Sequence, residues 1–313
     1  MMPKAVSLFS GCGGSDLGLK RSGFDVLLAN DVNEYACKAN KANFPETDVV
    51  HGDIRTLSRF PQADLLVGCY PCQGFSQGGA RDSSRKINYL YREFDRVLRK
   101  IKPKAFIVEN VSGMTRSNNR HLLLNQVYRF RMAGYKVSGP EILDASHFGI
   151  PQTRKRIFFV GIRSDIGMRY KFPKPEYGLP DGKPILTQQD VLIGMPKWPV
   201  GEFYDLDFHW YYLSRNRRRE WNEPSATILS NPRHMPLHPM SPPLVKHAHN
   251  DWRFAYDGPA RRFSYREAAI LQGFPKDFIF PDTGSMEQKY NTIGNAVPPA
   301  LFEAVARALP DIW

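Results

Sequence analysis

A chain of 313 residues, 42% apolar and 24% charged, can bury a full core and is expected to hold one large domain plus a smaller one. Its formal net charge of +12 and pI near 9.5 favour a polyanionic partner, nucleic acid first, because clustered Lys and Arg release counterions from phosphates. No apolar stretch approaches the roughly 18 uncharged residues of a membrane span, no signal peptide precedes the first strand, and Cys12, Cys37, Cys69 and Cys72 lack the paired spacing of a zinc site, so a soluble, metal-free protein of a reducing cytosol is expected.

From Lys4 to about Arg163, short apolar runs alternate with amphipathic stretches. The run Ala5 to Phe9 predicts the first strand, and Phe9-Ser10-Gly11-Cys12-Gly13-Gly14-Ser15-Asp16 then leads into a helix that Ser15 or Asp16 can cap. Glycines at 11, 13 and 14 let a ligand approach backbone amides closely. Asp31 follows the next run, Val26 to Ala29, where a carboxylate can accept hydrogen bonds from ribose hydroxyls, which suits an adenosine-bearing cofactor. Asp16 stands where the third glycine of the dinucleotide fingerprint would fall, which disfavours NAD. A covering helix is predicted over Glu34 to Asn43, and a third strand ends before His51-Gly52-Asp53-Ile54, whose Asp53 is suited to an adenine amino group.

The fourth run, Leu65 to Gly68, delivers Cys69-Tyr70-Pro71-Cys72 into a glycine-rich loop. The thiolate is the nucleophilic form, and Cys72 sits at a strand end with Arg81, Arg85 and Lys86 following. The loop from Gly74 to Lys86 has the composition of a mobile lid. Helices are predicted over Tyr89 to Ile101 and His121 to Ala133, and strands over Ala105 to Val108 and Ile157 to Ile162, so that the order reads βαβα throughout. This predicts an α/β fold with a doubly wound, mostly parallel sheet. After Arg163 prolines punctuate an irregular insertion, and helices return at Ser264 to Gln272 and after Pro299.

Taken in order, Phe9 to Gly14, Pro71-Cys72-Gln73, Glu109-Asn110-Val111, Gln152-Thr153-Arg154-Lys155-Arg156, Arg266 to Pro275 and Gly294-Asn295-Ala296-Val297 resemble the bacterial DNA (cytosine-5) methyltransferase family. The match spans nearly the whole chain apart from the Pro-rich insertion, which lies where that family keeps its variable target-recognition region. The resemblance implies a Rossmann-like catalytic domain over residues 1–165 and 260–313, with a target-recognition region over 166–259. It implies S-adenosylmethionine as cofactor and no metal, with Phe9 near the adenine, Asp31 on the ribose, Val32, Asp53 and Ile54 at the base, and contacts from Pro71 and Asn295. Val32 departs from the aromatic or bulkier residue that family members often carry there.

By the same resemblance, Cys72 attacks carbon 6 of cytosine, which turns carbon 5 into an enamine carbon able to accept a methyl group. Glu109 would bond the ring nitrogen and exocyclic amine, selecting cytosine over thymine. Arg154 and Arg156, two apart in an extended segment, are expected to face one side, with Arg156 at the base carbonyl. A duplex base must be flipped out before attack. Gln73, Ser76, Arg81, Arg217, Arg218, Arg219, Thr227 and Arg233 are expected to contact DNA, the Arg217 to Arg219 run chiefly at phosphates and Arg233 at a base.

Other classes make different demands. A CxxC redox protein would place Cys69 at a helix start rather than in a strand, and amino-directed methyltransferases carry a Pro-Pro-aromatic motif where Pro71-Cys72 stands here. An RNA (tRNA) cytosine-5 methyltransferase would use the same Cys and Glu, but the sizeable insertion favours duplex DNA. A non-enzymatic DNA-binding protein would have lost Cys72, Glu109, Arg156 or Asp31. The resemblance implies a cytoplasmic monomer at the prokaryotic nucleoid, in a restriction-modification system whose cognate nuclease acts on the same site without direct contact.

Overall fold

The structure, a computed structural model, describes residues 2–71, 89–116 and 119–313. The chain forms two compact units, one comprising Met1–Asp144, Lys155–Lys174 and Leu301–Trp313, the other Ala145–Arg154 and Pro175–Ala300.

Unit one is built on a seven-stranded sheet of β1 (Lys4–Leu8), β2 (Asp25–Asp31), β3 (Asp48–His51), β4 (Leu65–Gly68), β5 (Ala105–Val111), β6 (Tyr135–Asp144) and β7 (Lys155–Arg163). The spatial order is β3-β2-β1-β4-β5-β7-β6, with β1 to β5 parallel and β7 antiparallel to both β5 and β6. Helices α1 (Gly14–Arg21), α2 (Glu34–Asn43), α3 (Tyr91–Ile101) and α4 (Arg120–Met132) connect the strands. Strands β1, β4 and β5 are buried almost throughout, as apolar runs covered on two faces must be. An aromatic cluster fills the core: Phe106 lies 4.9 Å from Phe130, 5.3 Å from Tyr135 and 5.8 Å from Phe94 between ring centroids.

Two expectations need correction. The βαβα alternation stops at α4, because β6 and β7 are joined without a crossover helix. Neither Ser15 nor Asp16 caps α1, whose cap is Gly13, at φ 93°, without a side-chain bond. Asp16 is instead buried, accepting from Asn40 Nδ2 at 2.7 Å and Ser15 Oγ at 3.3 Å. A Cβ at Gly13 would lie 2.5 Å from the Phe44 ring, so close packing against α2's end requires glycine there.

Unit two carries α5 (Gln188–Leu192), α6 (Trp210–Leu213), a hairpin of β8 (Leu244–Ala248) and β9 (Asp251–Phe254), α7 (Tyr265–Leu271) and α8 (Met286–Asn295). The irregular insertion foreseen from its prolines thus includes two short helices and a hairpin. α9 (Pro299–Arg307) carries the chain back to unit one. Buried polar fasteners replace a continuous sheet: Arg261 forks onto Glu267 at 2.6 and 2.7 Å, and Gln152 Nε2 donates to Leu271 O and Gln272 Oε1. Burial and neighbouring Arg261 push His238 down to about 3, so it stays neutral beside Glu267, whose charge Arg261 already balances. No helix among the described residues is long and apolar enough to cross a membrane.

Candidate active site

Strand register sets the level of the site in unit one. Leu8 pairs with Asn30 on one side and Gly68 on the other, and Gly68 pairs with Val108. Phe9 to Gly14, Asp31, Cys69 to Pro71 and Glu109 therefore lie at one level, the carboxyl edge of the parallel strands. Strand order reverses between β1 and β4, where open α/β sheets leave a crevice for a ligand.

On the β1–β3 side, Asp31 is fixed by its own loop: one carboxylate oxygen accepts from Gly11 N at 2.9 Å and the other from Asn33 N at 2.8 Å. Burial pushes its acidity toward a higher pKa, and those amide donors oppose the shift. A Cβ built on Gly11 or Gly52, the glycines flanking this carboxylate, meets nothing within 4 Å. Val32 is 70% exposed beside it, and Ile54 is buried. Phe9, at φ 58°, meets Tyr70 edge to face at 6.0 Å. An open space with a carboxylate, glycine amides and an apolar wall fits a nucleoside-bearing cofactor. Asp53 is engaged by Arg55, whose Nε lies 2.9 and 3.0 Å from its two oxygens and whose Nη2 also bonds it, an ion pair that sequence reasoning missed. Arg55 lowers the pKa of Asp53.

On the β4–β5 side, β5 continues three residues past its last pairing with β4, so Glu109, Asn110 and Val111 pair only with β7. Glu109 lies opposite Phe158 and Val111 opposite Arg156, so Arg156 is Glu109's diagonal neighbour on one face of the sheet. Their side chains, 9% and 14% exposed, meet with Arg156 Nε 2.9 Å from Glu109 Oε1. Burial lowers the pKa of Arg156, and Glu109 opposes that shift. Asn110 Nδ2 donates to Tyr70 O at 3.1 Å, and Tyr70 Oη donates to Gln126 Oε1 at 2.5 Å, tying down the backbone just before Pro71. The sequence carries no local signal for this tether, whose bonds join residues 40 and 56 positions apart. Cys72, Gln73, Ser76, Arg81 and the predicted lid lie outside the described residues.

The three other thiols are poor nucleophiles. Burial pushes Cys12 and Cys69 well up, Cys69 further still through the charge of Glu109, and Cys37 rises to about 12. Among the described residues, no cluster of three or more His, Cys, Asp or Glu is placed to hold a metal ion.

The remaining candidates belong to unit two. Arg154 does not join Arg156: its buried guanidinium donates to the carbonyls of Ile228, Gly294 and Ala296 at 2.9, 2.8 and 3.1 Å. The expected common face fails because the chain passes from unit two to unit one between these arginines. Arg218 is likewise committed internally, to Ser241 O, Pro239 O and the Glu220 carboxylate, with its side chain 9% exposed. This corrects its assignment to phosphate. Exposed Arg219 turns toward the carbonyls of Asn216 and Arg218. Thr227 Oγ1 donates to Thr153 O at 2.7 Å, and Arg233 Nε to Tyr204 Oη at 3.2 Å. Asn295 ends α8, its Nδ2 on Asn291 Oδ1 at 3.2 Å.

Comparison with known proteins gives a consistent result. Residues 3–311 match the family model described as C-5 cytosine-specific DNA methylase. The chain is 35% identical to the type II methyltransferase M.NgoPII of Neisseria gonorrhoeae, over 98% of this chain and 95% of that protein. It is also 35% identical to the type II methyltransferase M.BsuRI of Bacillus subtilis, over 98% and 79% of the two chains. Its fold matches that of a solved structure titled as a prophage-encoded DNA modification methyltransferase of E. coli, with a TM-score of 0.73, 22% identity and 98% of each chain covered.

Proposed function

Because this chain belongs to the C-5 cytosine-specific DNA methylase family, and is thus a DNA (cytosine-5) methyltransferase, we propose that Cys72, Glu109 and Arg156 form its reacting centre. The observation that carries the reading is the Glu109–Arg156 pair at the carboxyl edge, level with the end of the strand that leads to Cys72. The family implies S-adenosylmethionine, which supplies an electrophilic methyl group when held by Phe9, Gly11, Gly13, Gly14, Asp31, Val32, Asp53, Ile54 and Pro71.

The chain's own residues do the rest. Cys72 Sγ, as thiolate, bonds to carbon 6 of a flipped cytosine, and the displaced ring electrons make carbon 5 nucleophilic. Glu109 holds a proton at the ring nitrogen as that negative charge develops. Arg156 orients the Glu109 carboxylate through its 2.9 Å bond and adds positive charge beside the base. Once carbon 5 is alkylated, loss of its proton expels the Cys72 thiolate and restores the aromatic ring. Arg154 acts as a positioning residue, because it bonds three backbone carbonyls of unit two. The duplex is recognised by residues 166–259, in a modification system whose nuclease cuts the same sequence.

Bisulfite sequencing of duplex DNA incubated with the purified protein and S-adenosylmethionine is expected to show protected cytosines within one recurring sequence. Unprotected duplex alongside a methylated tRNA would contradict the duplex-DNA reading.

A further inference from the structure

Unit two gathers several cations around one cleft. α6 presents Tyr211 and Tyr212, the turn Pro232–His234 presents Arg233 and His234, and Arg217 follows α6 closely. The Tyr212 and His234 rings meet edge to face at 4.8 Å, which packs these segments together. Arg217, Arg233 and Arg262 line one narrow cleft with Tyr212, and no carboxylate among the described residues lines it. Arg262 is its buried floor, bonded to the carbonyls of Tyr204, Leu206 and Asp207 and stacked on Phe208 at 4.4 Å. Asp205 offsets part of the Arg262 charge. Arg217 and Arg233 form no ion pair with any described residue, whereas Arg218 has Glu220.

Arg262 is thus already held by carbonyls, and the two guanidiniums left on the same cleft without an ion pair, Arg217 and Arg233, suit an anion. Guanidinium forks match the oxygens of a phosphodiester, and the aromatic wall limits the rotamers over which Arg217 and Arg233 spread.

We propose that Arg217 and Arg233, above the Arg262 floor and against the Tyr212–His234 wall, hold a backbone phosphodiester of the duplex substrate. The proposal rests on the duplex-DNA reading and deepens it, moving Arg233 from base reading to backbone positioning and separating Arg217 from its neighbour Arg218.

The test is fluorescence-anisotropy binding of a cognate duplex by the full chain, from about 50 to about 200 mM KCl, where phosphate contacts dominate the salt dependence. Each lost phosphate contact lowers the slope of log affinity against log salt by about 0.9. Arg217→Gln and Arg233→Gln should each show that loss with unchanged preference for cognate over non-cognate duplex, while Arg217→Lys, Arg233→Lys and Arg218→Gln keep the wild-type slope. Melting curves identify any variant that misfolds, and Arg217→Met or Arg233→Met, which keeps the length of the side chain without its charge, then decides by the same slope. Wild-type slopes in both Gln variants, or relaxed sequence preference in Arg233→Gln, overturn the proposal. Salt-independent binding by the wild-type protein would overturn the duplex reading itself, and is seen before any variant is compared.

Discussion

The role proposed for Glu109 rests on one structural fact: it is the first residue of β5 beyond its pairing with β4, while β7 still holds its backbone. Replacing Glu109 by Gln preserves its shape but removes its ability to hold a proton through the reaction. Turnover should fall by about 10²- to 10⁴-fold, with cofactor affinity within about twofold of wild type. Single-turnover kinetics together with equilibrium cofactor binding checks this, and an unchanged rate would remove Glu109 from the chemistry. The places of Glu109 and Asp31 at the ends of strands were legible because each follows an apolar run of buried-strand composition. The Asp53–Arg55 pair and the Asn110–Tyr70–Gln126 tether were not, since they depend on side-chain rotamers and, for Gln126, on a contact made 56 residues away. Arg154 misled because two-residue spacing implies one face only within a single strand, and β7 begins at Lys155.

At the scale of elements, the apolar runs located β1, β2, β4, β5 and β7 to within a few residues, and α2 matched its predicted span. Strand β6 escaped notice because its outer half is exposed and Gly139-Pro140 interrupts its pattern. Helix α8 carries a legible start, Ser285 with Gln288 as a reciprocal cap, ahead of the Gly294-Asn295 motif at its end. That glycine also has a packing role. A Cβ at Gly294 would lie 2.3 Å from the backbone carbon of Leu229, and backbone cannot swing aside as a side chain can. Gly294→Ala should therefore destabilise unit two by about 1 to 3 kcal/mol or more, seen as a lower thermal midpoint. A midpoint equal to wild type would show that α8 can shift away from Leu229.

Across the whole molecule, the chain is divided between two compact units that it enters alternately. Unit one takes three stretches of chain and unit two takes two, so the seven-stranded sheet is completed after one passage through unit two and unit one itself only after a second. The net charge of +12 pointed to a polyanion before any fold was known, but it could not distinguish arginines already spent on carbonyls, such as Arg154 and Arg218, from those still uncompensated. In the mechanism proposed here Cys72 adds to carbon 6 of the target base, and carbon 5 must later lose a proton to release it. Fluorine at carbon 5 blocks that release, so duplex carrying 5-fluorocytosine at the target position tests the claim most directly. In the presence of S-adenosylmethionine the account predicts a denaturation-resistant adduct that maps to Cys72 and is absent from Cys72→Ser. A duplex that is methylated at unmodified cytosine yet yields no such adduct would contradict it.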